Sequence, residues 1–298
     1  MKILITGGSG LIGSSLAQML IKNGNTVRFL SRGETNEAGG IFNWNIEKNA
    51  MDHSALNGVD AIVHLAGANV ADRNWSTERK KEIVDSRVKS SELLFKKLQE
   101  RNHNIKNIVA ASAVGYYGMD TGDGMMDEES KAGNDFLANI VKQWEKATSE
   151  FRTLGIKTTQ LRIGVVLDQS GGALGKMATP IKLGIGSPLG IGRQWMSWIH
   201  IEDLCRMIVY TIENQLDDVF NAVSPHPDSN KALTKALAKA LKRPCFLPNV
   251  PSFVLKLIFG EMAQMILGGN RASSQKIEKQ GFEFKFRNLE DALKNIYR

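Results

Sequence analysis

A doubly wound, parallel α/β sheet with a smaller, mainly helical C-terminal part is the fold this 298-residue sequence predicts, and three observations predict it. The chain opens on a short apolar strand that runs through a glycine-punctuated turn into a helix, all within residues 1–22. Apolar strands then alternate with amphipathic helices until six strands have formed by Leu161. From Gly171 the alternation loosens into glycine-rich and proline-punctuated stretches with short helices. Strand–helix alternation at this spacing builds a parallel sheet covered on both faces, the Rossmann type of architecture.

The first strand, Ile3 to Ile5, ends at Thr6, and Gly7, Gly10 and Gly13 follow three apart with Gly8 beside the first. In such a turn one glycine permits a tight backbone excursion, the next lets N–H groups approach a pyrophosphate, and the last lets the helix pack close to the strand. Gly7, Gly8, Ser9, Gly10, Leu11, Ile12 and Gly13 are therefore the expected cradle of a dinucleotide, with its anionic centre on the helix N-terminus. The helix Leu11 to Lys22 carries Leu16, Met19 and Leu20 on one face, stops at Asn23-Gly24-Asn25, and leads into a second strand, Thr26 to Leu30. An NAD-binding site places a carboxylate at the end of that strand to take the ribose 2′-OH. Here Ser31 and Arg32 stand there, a hydroxyl and a guanidinium suited to a 2′-phosphate, so NADP(H) is expected in preference to NAD(H).

Ile41 to Ile46 reads as a third strand, and the apolar run from Val59 as a fourth that ends in His64-Leu65-Ala66-Gly67. The small residues after it leave room for a cofactor, which adds Leu65, Ala66 and Gly67 to the expected contacts; His64 reads as a hydrogen-bonded structural histidine. An amphipathic helix is expected over Trp75 to Arg101. The fifth strand, Ile105 to Ala111, delivers Ser112-Ala-Val-Gly-Tyr-Tyr-Gly118 to the carboxyl edge of the sheet, where open α/β folds place their chemistry. An acidic, glycine-rich loop, Asp120 to Gly133, precedes the helix Phe136 to Phe151 and the sixth strand, Lys157 to Leu161. Residues 1–225 are read as the Rossmann domain, with substrate-loop insertions near 171–198, and residues 226–298 as a helical C-terminal domain.

Composition narrows the function classes. The formal net charge is +7, but basic residues alternate with acids, as in Glu78-Arg79-Lys80-Lys81-Glu82, so no nucleic-acid partner is expected. Cys205 and Cys245 form no ligand cluster with any of the five histidines, which predicts reduced thiols, no metal and a cytoplasmic setting. The first strand begins at the N-terminus, so no leader is expected. Lys256 and Glu261 interrupt the most apolar late stretch, Phe253 to Leu267, so no membrane partner is expected. A homodimer is compatible with the sequence.

With these residues in view the chain resembles the extended short-chain dehydrogenase/reductase family, the nucleotide-sugar epimerases and dehydratases. The matching pieces are Thr6 to Gly13, His64 to Gly67, Ser112 with Tyr117-Gly118, Leu161-Arg-Ile-Gly164 and Trp198 to Asp203. More narrowly it resembles the atypical "epimerase family protein" group, through Trp75-Ser-Thr-Glu-Arg79, Ser86-Arg87-Val88, Trp144-Glu145, Arg243-Pro244 and Gly260-Glu261. The resemblance implies a nicotinamide cofactor, brings Arg162 and Gly164 into the expected cofactor set, and makes Ser112 and Tyr117 the expected catalytic residues. It also implies a tyrosine four residues before a lysine on the helix after the fifth strand, the lysine lowering the tyrosine pKa for proton exchange. None of the four tyrosines has a lysine at that spacing. Alignment on Glu145 puts Leu137 and Val141 in the two positions, with Lys142 one residue off.

Two readings follow. In one the protein is an NADP(H)-dependent oxidoreductase or epimerase acting on an unidentified small substrate, with Ser112, Tyr116 or Tyr117, and Lys142 or His200, as its acid/base candidates. In the other it is a non-catalytic NADP(H)-binding sensor or scaffold.

Overall fold

The computed structural model describes residues 1–298. In chain order its first half runs β1 (Lys2–Thr6), α1 (Leu11–Lys22), β2 (Thr26–Ser31), β3 (Ile41–Asn45), β4 (Ala50–Met51), β5 (Ala61–His64), α2 (Thr77–Gln99), β6 (Asn107–Ala113), β7 (Met125–Met126), α3 (Phe136–Ser149) and β8 (Lys157–Ile163). The second half adds β9 (Val165–Leu167), α4 (Gly172–Lys182), β10 (Trp195–Met196), β11 (Trp198–His200), α5 (Ile201–Glu213), β12 (Val219–Ala222), β13 (Asp228–Ser229), α6 (Asn230–Ala240), α7 (Ser252–Phe259), α8 (Ala263–Leu267), β14 (Arg271–Ala272), α9 (Gln275–Lys279) and α10 (Leu289–Ile296).

The sheet order is β12-β8-β6-β5-β1-β2-β3-β4, parallel except for the final β3–β4 pair. From β1 the chain winds outward through β2 and β3, then returns to β5 on the other side of β1 and winds the opposite way. That reversal opens a crevice beyond the carboxyl ends of β1 and β5, where Thr6 lies opposite His64. Strand alternation divides the core: Ile3 and Ile5 face the layer of α1 and α5, and Leu4 faces the layer containing α2. Two helix starts are set by side-chain caps, Ser76 accepting from Arg79 N–H at 3.1 Å for α2 and Asp135 accepting from Ala138 N–H at 3.0 Å for α3.

Three elements differ from the expectations. The sheet gains β12 beyond β8; with four residues and a central Asn221, it carries too short an apolar pattern to stand out. In the stretch expected to be irregular, α4 forms despite an internal Pro180, because Leu174, Ala178 and Ile181 bury one helical stripe. The apolar stretch Phe253 to Leu267 makes two short helices, α7 and α8, rather than one continuous element, the break falling at Gly260, whose φ is +53°.

The C-terminal residues do not form a core of their own. Ile277, Phe282 and Phe284 join the sheet core beside α5, and Leu233, Leu237, Leu289 and Leu293 pack with Leu167, Leu174 and Trp198. Burying one such side chain stabilises the fold by roughly 1.5–3 kcal/mol. No helix is long and apolar enough to cross a membrane.

Candidate functional site

The glycine turn sorts its own residues. Gly7 sits at φ +70°, and a Cβ there would stand 2.8 Å from the Leu65 carbonyl oxygen. A Cβ on Gly8 would meet the Phe29 ring at 2.1 Å, and one on Gly13 the Gly7 carbonyl oxygen at 2.4 Å. The fold itself therefore demands these three. Gly10 is different: it is exposed, its φ is −77°, and a Cβ would find only the Gly7 oxygen, at 3.3 Å. The fold asks less for a glycine there than at the other three, whereas an anion seated over the turn would require one. The first bond of α1 runs from Ser14 N–H to the Gly10 carbonyl at 2.9 Å, and no side chain caps the helix. The N–H groups of Leu11, Ile12 and Gly13 accordingly precede the helix's own ladder, at the positive end of its dipole.

Beside the turn, the Thr6 hydroxyl accepts from the N–H groups of Leu65 at 3.1 Å and Ala66 at 3.0 Å, so its one proton goes to His64 Nδ1 at 2.8 Å. His64 Nε2 then donates to Ser91 Oγ at 3.0 Å, whose proton is given to the Arg87 carbonyl at 2.8 Å. This chain fixes one neutral tautomer, and complete burial pushes the imidazole pKa down to about 4. His64 thus locks the backbone of Leu65 and Ala66 against β1. Gly67 is exposed at the crevice; a Cβ there would come within 3.0 Å of the Arg87 guanidinium carbon, which stacks on Trp144 at 4.9 Å. At the end of β2, Ser31 Oγ accepts from Gly33 N–H at 3.3 Å, while the exposed Arg32 guanidinium has no hydrogen bond, ion pair or aromatic partner in the chain.

The end of β6 is built the opposite way. Ser112 is buried and donates to Glu145 Oε1 at 2.6 Å. Arg162 grips the same carboxylate with Nε at 2.8 Å and a terminal nitrogen at 3.0 Å, and its other terminal nitrogen donates to Tyr117 Oη at 3.1 Å and the Glu128 carbonyl at 3.2 Å. Tyr117 donates its phenol proton to Asn221 Oδ1 at 2.7 Å. Burial pushes that phenol up to about 12, with the Arg162 cation opposing the shift. Tyr116 lies with its ring 3.4 Å from the Arg162 guanidinium carbon, and its hydroxyl makes no hydrogen bond.

The two positions aligned with the tyrosine and lysine of the family pair are apolar and lie over Gly115, whose Cβ direction points at Leu137 at 3.5 Å and Val141 at 3.9 Å. Lys142 is turned away and donates to the Gly133 carbonyl at 3.3 Å. His200 caps α5, accepting from Glu202 N–H at 3.0 Å, and stacks on Phe286 at 3.9 Å. Gly164 is required by the crossing of β11, because a Cβ would stand 2.3 Å from the Ser197 carbonyl oxygen. The structure thus gathers the turn, Leu65 to Gly67 and Arg32 along one crevice, and ties Arg162 into the β6 network with Ser112 and Tyr117. Sequence reasoning missed Glu128 and Asn221 as members of that network. It also missed the link from Lys176 of α4, whose ammonium donates to the Ala71 carbonyl.

Sheet order, switch-point crevice and glycine turn define a Rossmann-type protein of the dinucleotide-binding class. The chain belongs to the NAD dependent epimerase/dehydratase family: that family's model matches residues 3–147, and residues 250–296 match a domain of unknown function, DUF1731. An epimerase family protein of Staphylococcus aureus is 34% identical over 297 residues, covering 98% of each chain. One from Mycobacterium leprae is 37% identical over 294 residues, 98% of this chain and 94% of its own. Among solved structures, the human epimerase family protein SDR39U1 (isoform 2), determined with NADPH, superposes with a TM-score of 0.89 at 34% identity, covering 100% of this chain and 99% of that one.

Proposed function

We propose that this chain binds NADP(H) across the crevice between β1 and β5. The pyrophosphate lies over Gly10 on the free N–H groups of Leu11 to Gly13, and the 2′-phosphate lies against Arg32 and Ser31. The observation that carries the reading is Arg32, an exposed guanidinium with no partner at the strand end where the ribose of a dinucleotide lies in this fold. The NADPH in the human relative's structure supports it. Bound there, the cofactor supplies a hydride donor or acceptor. Around it this chain's residues bind and orient: Thr6 and His64 hold the Leu65 to Gly67 backbone, and Ser112 and Tyr117, with both hydroxyl protons committed, position the strand end through Glu145 and Asn221. Where a small hydroxyl or carbonyl substrate is turned over, proton exchange falls to Tyr116, the strand-end phenol with no hydrogen bond of its own. Calorimetry with NADPH and NADH tests the reading. Gly10→Val should abolish binding without lowering the thermal midpoint, and undiminished NADPH binding by that variant would overturn it.

A second reading, an NADP(H) sensor without turnover, is supported by one observation: Leu137 and Val141, which alignment on Glu145 sets at the positions of the family's tyrosine and lysine, are apolar and pack over Gly115. A panel of carbonyl and nucleotide-sugar substrates separates the two. Turnover lost in Tyr116→Phe but kept in Tyr117→Phe supports the enzyme, and tight NADPH binding with no turnover supports the sensor.

A further inference from the structure

The net charge of +7 is not spread evenly. Residues 169–201 contain Lys176, Lys182 and Arg193 and no acid, and residues 229–260 contain Lys231, Lys235, Lys239, Lys242, Arg243 and Lys256 and no acid. These nine cations exceed the charge of the whole protein, so the remainder of the surface is slightly negative. The two segments are joined in space. Gly190 N–H donates to the Val250 carbonyl at 2.9 Å, Val250 N–H to the Pro188 carbonyl at 2.9 Å, and Lys231 N–H to the Gly192 carbonyl at 2.9 Å. Of the nine basic side chains only Lys239 is in an ion pair, with Glu290.

The same two segments carry the most exposed apolar side chains of the molecule. Leu257 is 85% exposed, Phe246 77%, and Ile191 and Phe253 71% each. Phe253 and Leu257 stand four apart on the outer face of α7, beside Lys256, while Leu255 anchors the helix from its buried side. Monomeric surfaces rarely leave such side chains together without an occupant.

We propose that this face docks on the surface of an anionic lipid bilayer, with the apolar side chains of α7, Phe246 and Ile191 entering the headgroup boundary and the unpaired cations lying among the lipid phosphates. A second copy fits poorly, since a two-fold contact would set eight cations without an ion-pair partner against their own image. Single-stranded nucleic acid needs successive aromatic platforms along a groove, and two of these four side chains, Leu257 and Ile191, offer none. An apolar, basic face is what an interfacial helix presents. The eight residues of α7 span about 12 Å, enough to lie in the interface and too short to cross it. The absence of a spanning helix therefore leaves this mode of association open.

The test is co-sedimentation of the full chain with vesicles of phosphatidylcholine alone or mixed with phosphatidylglycerol. The protein should pellet with the mixed vesicles and not with the neutral ones, and should be released as salt rises from about 0.1 M to about 1 M and the Debye length falls from about 10 to about 3 Å. Lys242→Ala with Arg243→Ala should weaken binding about fivefold per residue removed. Phe253→Gln with Leu257→Gln should abolish it while NADPH binding and the thermal midpoint stay unchanged, since both side chains are already in water. No partition onto the mixed vesicles, or partition that survives both double variants, would overturn the proposal. A dimer seen by sedimentation velocity in the unmutated protein and lost in the Phe253/Leu257 variant would overturn it in favour of self-association.

Discussion

The carboxyl ends of β1 and β6 meet the same crevice and are finished in opposite ways. At β1 the backbone is held rigid by Thr6 and His64, yet its helix N–H groups have no partners, Gly10 leaves space the fold does not use, and Arg32 at the next strand end is free. At β6 the buried polar side chains are spoken for by one another, Ser112 by Glu145, Glu145 by Arg162, Tyr117 by Arg162 and Asn221, and only the Tyr116 hydroxyl beside them is left without a partner. A binding site needs donors held in place and left unsatisfied; a structural network needs them satisfied. By that criterion the β1 end is prepared for a ligand and the β6 end is prepared to hold its own shape.

The strongest way to break the comparison is at Arg162. Its side chain is 4% exposed and faces a Glu145 carboxylate that is 11% exposed. Arg162→Ala should leave that carboxylate buried and unpaired, costing about 3–5 kcal/mol of unfolding free energy in a urea titration. Arg162→Lys should recover only part of this, because an ammonium cannot match the two-pronged grip. A loss well below 1 kcal/mol in the alanine variant would mean that the β6 network does not hold the fold.

The β1 side has its own structural component, and pH isolates it. His64 is neutral in the folded state down to about pH 4, whereas in the unfolded chain it takes a proton near 6.5. Above pH 6.5 both states are neutral there and stability does not depend on it. Below 6.5 the unfolded state gains a proton that the folded state refuses, so stability falls as the pH drops toward 4, by about 3 kcal/mol in all. Burial lowers the His200 pKa as well and adds in the same direction. The His64 share is the difference in slope between the unmutated protein and His64→Gln over that window; identical slopes would remove His64 from the lock.

At the ligand-facing edge the expected effect is smaller and selective. A charge-assisted contact to a 2′-phosphate contributes about 1.5–3 kcal/mol, roughly 10- to 100-fold in affinity. Arg32→Ala should lose that much for NADPH and little for NADH, with stability unchanged because the exposed guanidinium has no hydrogen-bond or ion-pair partner in the chain. Equal weakening for both cofactors would place Arg32 on the pyrophosphate, and no weakening would leave the 2′-phosphate unassigned.

Much of this was legible in the sequence, and the reasons differ by element. The turn announces itself because its requirements are local: Gly7, Gly8 and Gly13 answer to atoms within the same strand–turn–helix unit or on the strands beside it. The six expected strands and the long helices followed from apolar periodicity. The β6 network was hidden because its members come from separate parts of the chain, Ser112 and Glu145 lying 33 residues apart and Tyr117 and Asn221 lying 104 apart. No spacing rule connects them. In α4, Gly172, Gly175 and Pro180 masked the stripe of Leu174, Ala178 and Ile181, whose burial decides the conformation. The acidic loop at 120–133 reads as irregular, yet it is tied to the C-terminal part by β7 pairing with β14 and to β10 by Asp123 accepting from Trp195 Nε1 at 2.8 Å.

Tyr117→Phe makes the finest cut between the two strand ends. The change keeps the ring against Tyr116 and removes one hydroxyl, leaving Asn221 Oδ1 without its donor and one Arg162 N–H without its acceptor. Two buried polar groups lose a partner, but Asn221 keeps its amide bonds to the Ser273 and Met126 carbonyls and Arg162 keeps Glu145, so the cost should be about 1–2 kcal/mol. NADPH affinity should stay within about twofold, since the lost bonds lie inside the β6 network and not along the cofactor crevice. The informative measurement is the pair of values on one variant, unfolding free energy and NADPH dissociation constant. A stability loss with unchanged binding supports a structural β6 end. Unchanged stability with loss of turnover or of NADPH affinity would reverse the comparison and return Tyr117 to the reacting centre.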